Sequence, residues 1–124
     1  MAIKEIKKVW GKEIIIADEE EYCGKILVIN NSAGSSWHRH PKKETFYCLK
    51  GKVSLRIRRL LFRRVHYRQT VIMTPGSEPV TILQGLWHQF HGLADSEIME
   101  VSTHDDPSLV ERESESYDKK ISAS

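Results

Sequence analysis

The segment Trp37-His38-Arg39-His40-Pro41-Lys42-Lys43-Glu44 sets two imidazoles two residues apart and a carboxylate four residues beyond the second. Side chains alternate along an extended chain, so His38 and His40 point one way while Trp37 and Arg39 point the other. Glu44 follows a Pro41-Lys42-Lys43 corner and opens the next extended stretch, where a hairpin can return its carboxylate beside the two rings. His88 lies 48 residues after His40, behind Gly85-Leu86-Trp87, where a closed barrel could supply a fourth group from the facing wall. Neutral imidazoles with one carboxylate suit a divalent transition metal, Mn, Fe, Co, Ni or Zn, and leave positions for a substrate if coordination is octahedral. The competing account is a set of core or surface histidines that bind nothing. It fits a lone histidine better than this spacing.

Such a site needs short strands to hold it, and the apolar residues recur with β-type periods. No long stretch keeps apolar residues at helical spacing. The pattern predicts strands over residues 13–17, 24–30, 36–40, 44–49, 52–58, 71–74, 80–83, 88–90 and 98–103. Turn signals such as Asn30-Asn31-Ser32, Lys50-Gly51, Pro75-Gly76, Gln84-Gly85 and Ala94-Asp95-Ser96 separate them. Short strands at this spacing argue an all-β antiparallel sandwich or barrel.

A chain of 124 residues has room for one domain with one core. It is 40% hydrophobic and 29% charged, and no apolar run approaches the roughly 18 residues of a membrane span. MAIKEIKKVW lacks the apolar region of a secretory signal, so a cytoplasmic location is expected, with Cys23 and Cys48 as buried thiols. The formal charge of +2 is unevenly spread. Residues 45–77 hold eight Lys or Arg and no acid, whereas residues 105–124 hold six acids against three bases. Arg56, Arg58, Arg59, Arg63, Arg64 and Arg68 could attract an anion. A solvated outer face explains them as well, and no base-stacking module accompanies them, so nucleic acid is not an expected partner. Alternation with Leu55 and Ile57 sends Arg56 and Arg58 outward, while Arg63, Arg64 and Arg68 are expected in a loop at the rim, within reach of a phosphate.

His38-x-His40, three residues, Glu44, six residues and Gly51 resembles the first motif of the cupin superfamily. The segment from Pro75-Gly76 to Gly85-Leu86-Trp87-His88 is similar to the second, departing from it at Leu83, where proline is usual, and at Gly92, where asparagine is frequent. The resemblance implies a single-domain antiparallel jelly-roll β-barrel over residues 9–104, with an N-terminal arm 1–8 and a polar tail 105–124. It also implies His38, His40, Glu44 and His88 as metal ligands.

Trp10-Gly11-Lys12-Glu13, Tyr22-Cys23-Gly24-Lys25 and Glu100-Val101-Ser102-Thr103-His104 look like the flanks of cupins of sugar metabolism, the D-lyxose or mannose isomerases and type II mannose-6-phosphate isomerases. That likeness implies a sugar or sugar phosphate as ligand and aldose–ketose isomerisation as the activity. Lys25 matches a lysine of those isomerases. Glu100, on one face with Ile98 and Ser102, is the candidate acid or base if that face is inward. If Glu100 and Lys25 are instead solvated, a noncatalytic sugar-binding or regulatory cupin fits the chain, and an iron-dependent oxygenase would use the same ligands.

Trp10, Trp37 and Trp87 are candidates for stacking on a sugar or for core packing. Phe46 and Cys48 share a face with Glu44 and are expected beside the metal. His66, His91 and His104 are expected outside the ligand set. Open edge strands predict a homodimer, with the segment before Trp10 as the strand that crosses to the partner.

Overall fold

The computed structural model describes residues 3–61, 64–104 and 106–119. β1 (Lys4–Lys8) and β2 (Gly11–Asp18) form a hairpin that leads into β3 (Cys23–Ile29). Two short pieces follow, β4 (Ala33–Gly34) and β5 (His38–Arg39), and then β6 (Glu44–Lys50). β7 (Val53–Leu61) and β8 (Arg64–Met73) make a long hairpin. β9 (Val80–Ile82), β10 (Trp87–Gly92) and β11 (Ser96–Ser102) complete the barrel. After a short helical turn at Pro107–Leu109 come β12 (Glu111–Arg112) and β13 (Tyr117–Asp118).

One sheet runs β1-β2-β3-β11-β6-β9. In the other, β10 pairs with β7 on one side and with β4 and β5 on the other, and β12 and β13 pair outside β5 and β4. All pairings are antiparallel, as alternation with polar turns dictates. β3 and β11 bury every second residue, and the inward sets pack Leu27, Ile29 and Ile98 against Phe46, Leu55 and Phe90. Trp10 closes one end edge-on to Phe90, at 4.9 Å between ring centres. Gly51 turns β6 into β7 at φ +84°, and a Cβ there would stand 2.4 Å from the Asp95 carbonyl oxygen, so only glycine fits. Cys23 and Cys48 are buried thiols.

Three elements differ from the sequence pattern. Residues 36–40 are not one strand: pairing is confined to β5, and His40 lies beyond it. β1 is a strand paired with β2, formed from Lys, Glu and Ile that show little apolar signal and that the pattern assigned to no strand of the barrel. The rim loop expected to carry Arg64 and Arg68 is instead β8, with Arg68 opposite Arg58 and exposed. Cross-strand pairing supplies the order that a cationic sequence hides. Arg63 lies outside the described residues, as do the side chains of Arg59, Arg64 and His66. Among the described residues no helix is long and apolar enough to cross a membrane.

Candidate metal centre

The two motifs meet across one rung of the second sheet. His38 on β5 pairs directly with His88 on β10, and their ring centres stand 4.3 Å apart. His40 follows β5 and is held by its own carbonyl, which accepts the Gly85 N–H at 3.1 Å. Its ring lies 5.1 Å from that of His88 and 5.4 Å from that of His38. Each of the three rings offers a nitrogen within 4.8 Å of the other two, a group that can hold a metal ion. Glu44, at the start of β6, brings Oε2 to 2.8 Å from His40 Nε2 and 3.6 Å from His88 Nε2. It reaches two of the three rings, and the three-histidine group does not include it.

Tautomers follow from the backbone. His38 Nδ1 lies 2.8 Å from the Ser36 carbonyl and His88 Nδ1 lies 2.9 Å from the Leu86 carbonyl. A carbonyl only accepts, so each Nδ1 carries the proton and each Nε2 keeps its lone pair. Burial lowers the His38 pKa to about 4; the charges of His40, Arg112 and Lys42 push the same way, against the bond to Ser36. Burial and His38 hold His88 well below the ordinary imidazole value. Burial, with the charge of Glu100, raises Glu44, which His40 and Lys42 oppose. Both carbonyl-bound rings are therefore neutral at pH 7, the state a metal requires.

The donor set fits such an ion. Among the described residues His88 Nε2 and Glu44 Oε2 are buried with no hydrogen-bond partner, although His40 Nε2 stands close to the carboxylate. Buried polar atoms are nearly always paired, and a cation would engage both. Two ligands at right angles on bonds of about 2.1 Å stand about 3 Å apart, the scale of the Glu44–His40 separation.

A cavity of about 820 Å³ opens over this cluster and reaches Lys25, Lys42 and Glu100. Glu100 and Lys25 face each other across β11 and β3, and both are buried, so alternation turns them inward. Lys25 Nζ lies 3.5 Å from Glu13 Oε2. Lys42, which the sequence pattern did not single out, is buried and donates to Glu100 Oε2 at 2.9 Å. Its position two residues after His40 and two before Glu44 was the available signal. Phe46 lines the cavity, whereas Cys48 sits one alternation further along β6, where its thiol donates to the Lys50 carbonyl. A smaller cavity of about 420 Å³ near Asn30, Lys50 and Asp95 contains no imidazole.

Trp37, Trp87, His91 and His104 do not line the larger cavity. Trp37 and Trp87 sit beneath guanidinium groups: Arg56 and Arg58 lie over Trp37 at 4.9 and 4.3 Å, and Arg39 over Trp87 at 5.0 Å. His91 contacts the Tyr117 hydroxyl at 2.6 Å, and His104 contacts the Glu19 carbonyl.

The pKa directions give a pH dependence for the metal-free protein. His38 and His88 have folded pKa values below the unfolded value near 6.5, so between that value and about 4 the unfolded chain binds more protons. Stability is full above pH 6.5 and is lost as pH falls. The raised Glu44 works in the opposite direction, with one group against two. Urea unfolding in chelator is expected to show a lower stability at pH 5 than at pH 7, with His38 alone contributing about 2 kcal/mol, because each tenfold loss of proton affinity on folding corresponds to about 1.4 kcal/mol. Equal or greater stability at pH 5 would show that the rings are not buried neutral.

An all-β barrel of two antiparallel sheets, with three imidazoles converging inside it, is a cupin-type jelly roll. No protein-family model and no curated protein sequence matches the chain. Among solved structures it is similar to oxalate decarboxylase from Bacillus subtilis, with a TM-score of 0.74 at 13% identity over 89% of this chain and 30% of that one. It is similar to the capsular polysaccharide assembling protein CapF from Staphylococcus aureus, with a TM-score of 0.71 at 16% identity over 94% of this chain and 32% of that one. KdgF from Halomonas sp. gives a TM-score of 0.64 at 13% identity over 79% of this chain and 82% of that one. The chain thus spans about a third of the length of the first two. At these identities the likeness establishes the fold.

Proposed function

We propose that this chain is a metal-dependent cupin that binds a sugar or sugar phosphate in the barrel and interconverts aldose and ketose. The observation that carries the reading is the buried Lys42–Glu100 pair in the same cavity as the histidine cluster. An ion held by His38, His40, His88 and Glu44 would polarise a hydroxyl or carbonyl oxygen of the ligand. Glu100 is the group that takes the proton from C2 and returns it to C1, while the hydroxyl proton moves from O2 to O1, so the isomers balance. Lys42 holds one carboxylate oxygen of Glu100, which leaves the other to face the cavity. Lys25, opposite Glu100 in the ladder, supplies a cation for an oxygen of the substrate. Arg112, Lys4 and Lys8 line the same cavity and would favour a phosphorylated sugar.

Incubating metal-supplemented protein in D₂O with aldoses and their phosphates, followed by proton NMR, tests this. Loss of the C2 proton signal and growth of ketose signals are expected, with Glu100→Gln slowing exchange by about 10²–10⁴-fold while ligand binding persists. Binding without exchange would replace the isomerase by a noncatalytic sugar-binding cupin. Oxygen uptake with Fe(II) would replace it by an oxygenase.

A further inference from the structure

We infer that the C-terminal segment 111–118 is an outer support of the metal centre, in which Arg112 and Ser116 are positioning residues that hold Ser36 so that its carbonyl orients His38. The inference rests on the metal-binding reading of the histidine cluster. β12 pairs with β5 at Arg112↔His38 and Glu111↔Arg39, and β13 pairs with β4 at Tyr117↔Gly34 and Asp118↔Ala33. The segment is the strand beside residues 33–39 on the edge away from β10. Gly34 leaves room for the Tyr117 ring, since a Cβ there would stand 2.5 Å from the Tyr117 hydroxyl oxygen and the side chain would have to shift.

Between the two short ladders the Glu113 N–H donates to the Trp37 carbonyl at 2.9 Å, the Trp37 N–H donates to Ser114 Oγ at 2.8 Å, and two further side-chain contacts meet on Ser36, which is 1% exposed. Its N–H donates to Ser116 Oγ at 3.2 Å, and its hydroxyl oxygen accepts from Arg112 Nη1 at 2.9 Å. Its carbonyl accepts from His38 Nδ1 at 2.8 Å and from Ser35 Oγ at 3.0 Å. Every polar group of Ser36 is therefore fixed, two of them by the tail. Ion pairs Arg39–Glu111 and Arg58–Glu113 and the Asn30–Asp118 hydrogen bond fasten the segment on either side.

The consequence is local to one ligand. The Ser36 carbonyl sets the His38 tautomer and ring direction, and loss of such an outer partner typically costs 10–100-fold in metal affinity. His88 takes its carbonyl from Leu86, whose own N–H donates to the Leu83 carbonyl and not to the tail. His88 is thus an internal control.

The test is the double variant Arg112→Ala/Ser116→Ala, with Ser116→Ala alone as the milder change. Co(II) affinity is measured by competition with a chelator, and ¹⁵N NMR of the metal-free protein reads the tautomers of His38 and His88. Affinity is expected to fall about 10-fold or more. His38 should lose its preference for the Nδ1-protonated form while His88 keeps it, and Arg112→Lys, which retains a donor, should recover most of the loss. Affinity within about twofold of wild type with an unchanged His38 tautomer would overturn the inference. So would equal disturbance of His38 and His88, the mark of general loosening. If the wild type takes up no Co(II), the metal reading fails by itself, and the metal-free tautomers still decide whether the tail orients His38.

Discussion

His40→Ala is expected to leave the protein unable to retain a divalent ion. The ring is buried, and its Nε2 lies 2.8 Å from Glu44, so it joins the carboxylate to the cross-strand pair His38–His88. Without it, Glu44 keeps only His88 among the rings, at 3.6 Å, and the three-histidine group is broken. Loss of an outer partner already costs 10–100-fold, so loss of a ligand should cost more than about 100-fold. The fold should tolerate the change. Among the described residues the buried His40 Nδ1 has no hydrogen-bond partner, so relief of that burden opposes the packing lost with the ring. Metal-free stability is expected within about 2 kcal/mol of wild type. Elemental analysis after supplementation and dialysis, paired with thermal melts in chelator, checks both parts.

Lys42→Met is expected to give the largest loss of stability. The Lys42–Glu100 pair has both side chains almost fully inside, at 7% and 5% exposure, with 2.9 Å between Nζ and Oε2. Breaking one partner of a buried ion pair costs about 3–5 kcal/mol, because the other charge remains in low dielectric. Domains of this size have about 5–15 kcal/mol in total, so the thermal midpoint should fall by about 10–20 °C. Replacing both charges, Lys42→Met with Glu100→Leu, should recover most of that loss while abolishing any reaction that needs Glu100. If the double variant is no more stable than Lys42→Met alone, the pair is not the unit described here.

How much of this was legible in the sequence depended on range. A two-residue period is a local signal, so His38-x-His40 and the inward face of Ile98, Glu100 and Ser102 could be read directly. The convergence of His88 was readable through the motif resemblance, since a contact across a rung has no local signature. Three features escaped. Lys42 sits in an irregular corner where alternation has no phase. β8 is rich in arginine, and its order comes from pairing with β7. The segment from Glu111 to Asp118 has no apolar period, and its structure is supplied by the edge of residues 33–39 and by serine hydroxyls, contacts that exist only once the barrel has closed.

A single ion held between His38, His40 and Glu44 on one side and His88 on the other is what the metal reading requires. Anomalous diffraction from crystals of the metal-supplemented protein, collected on both sides of the absorption edge of the ion supplied, tests it most directly. One peak is predicted per chain, about 2.0–2.2 Å from the Nε2 atoms of His38, His40 and His88, with a Glu44 carboxylate oxygen completing the protein ligands. A peak elsewhere, or ordered water among the three rings with no peak, would contradict it.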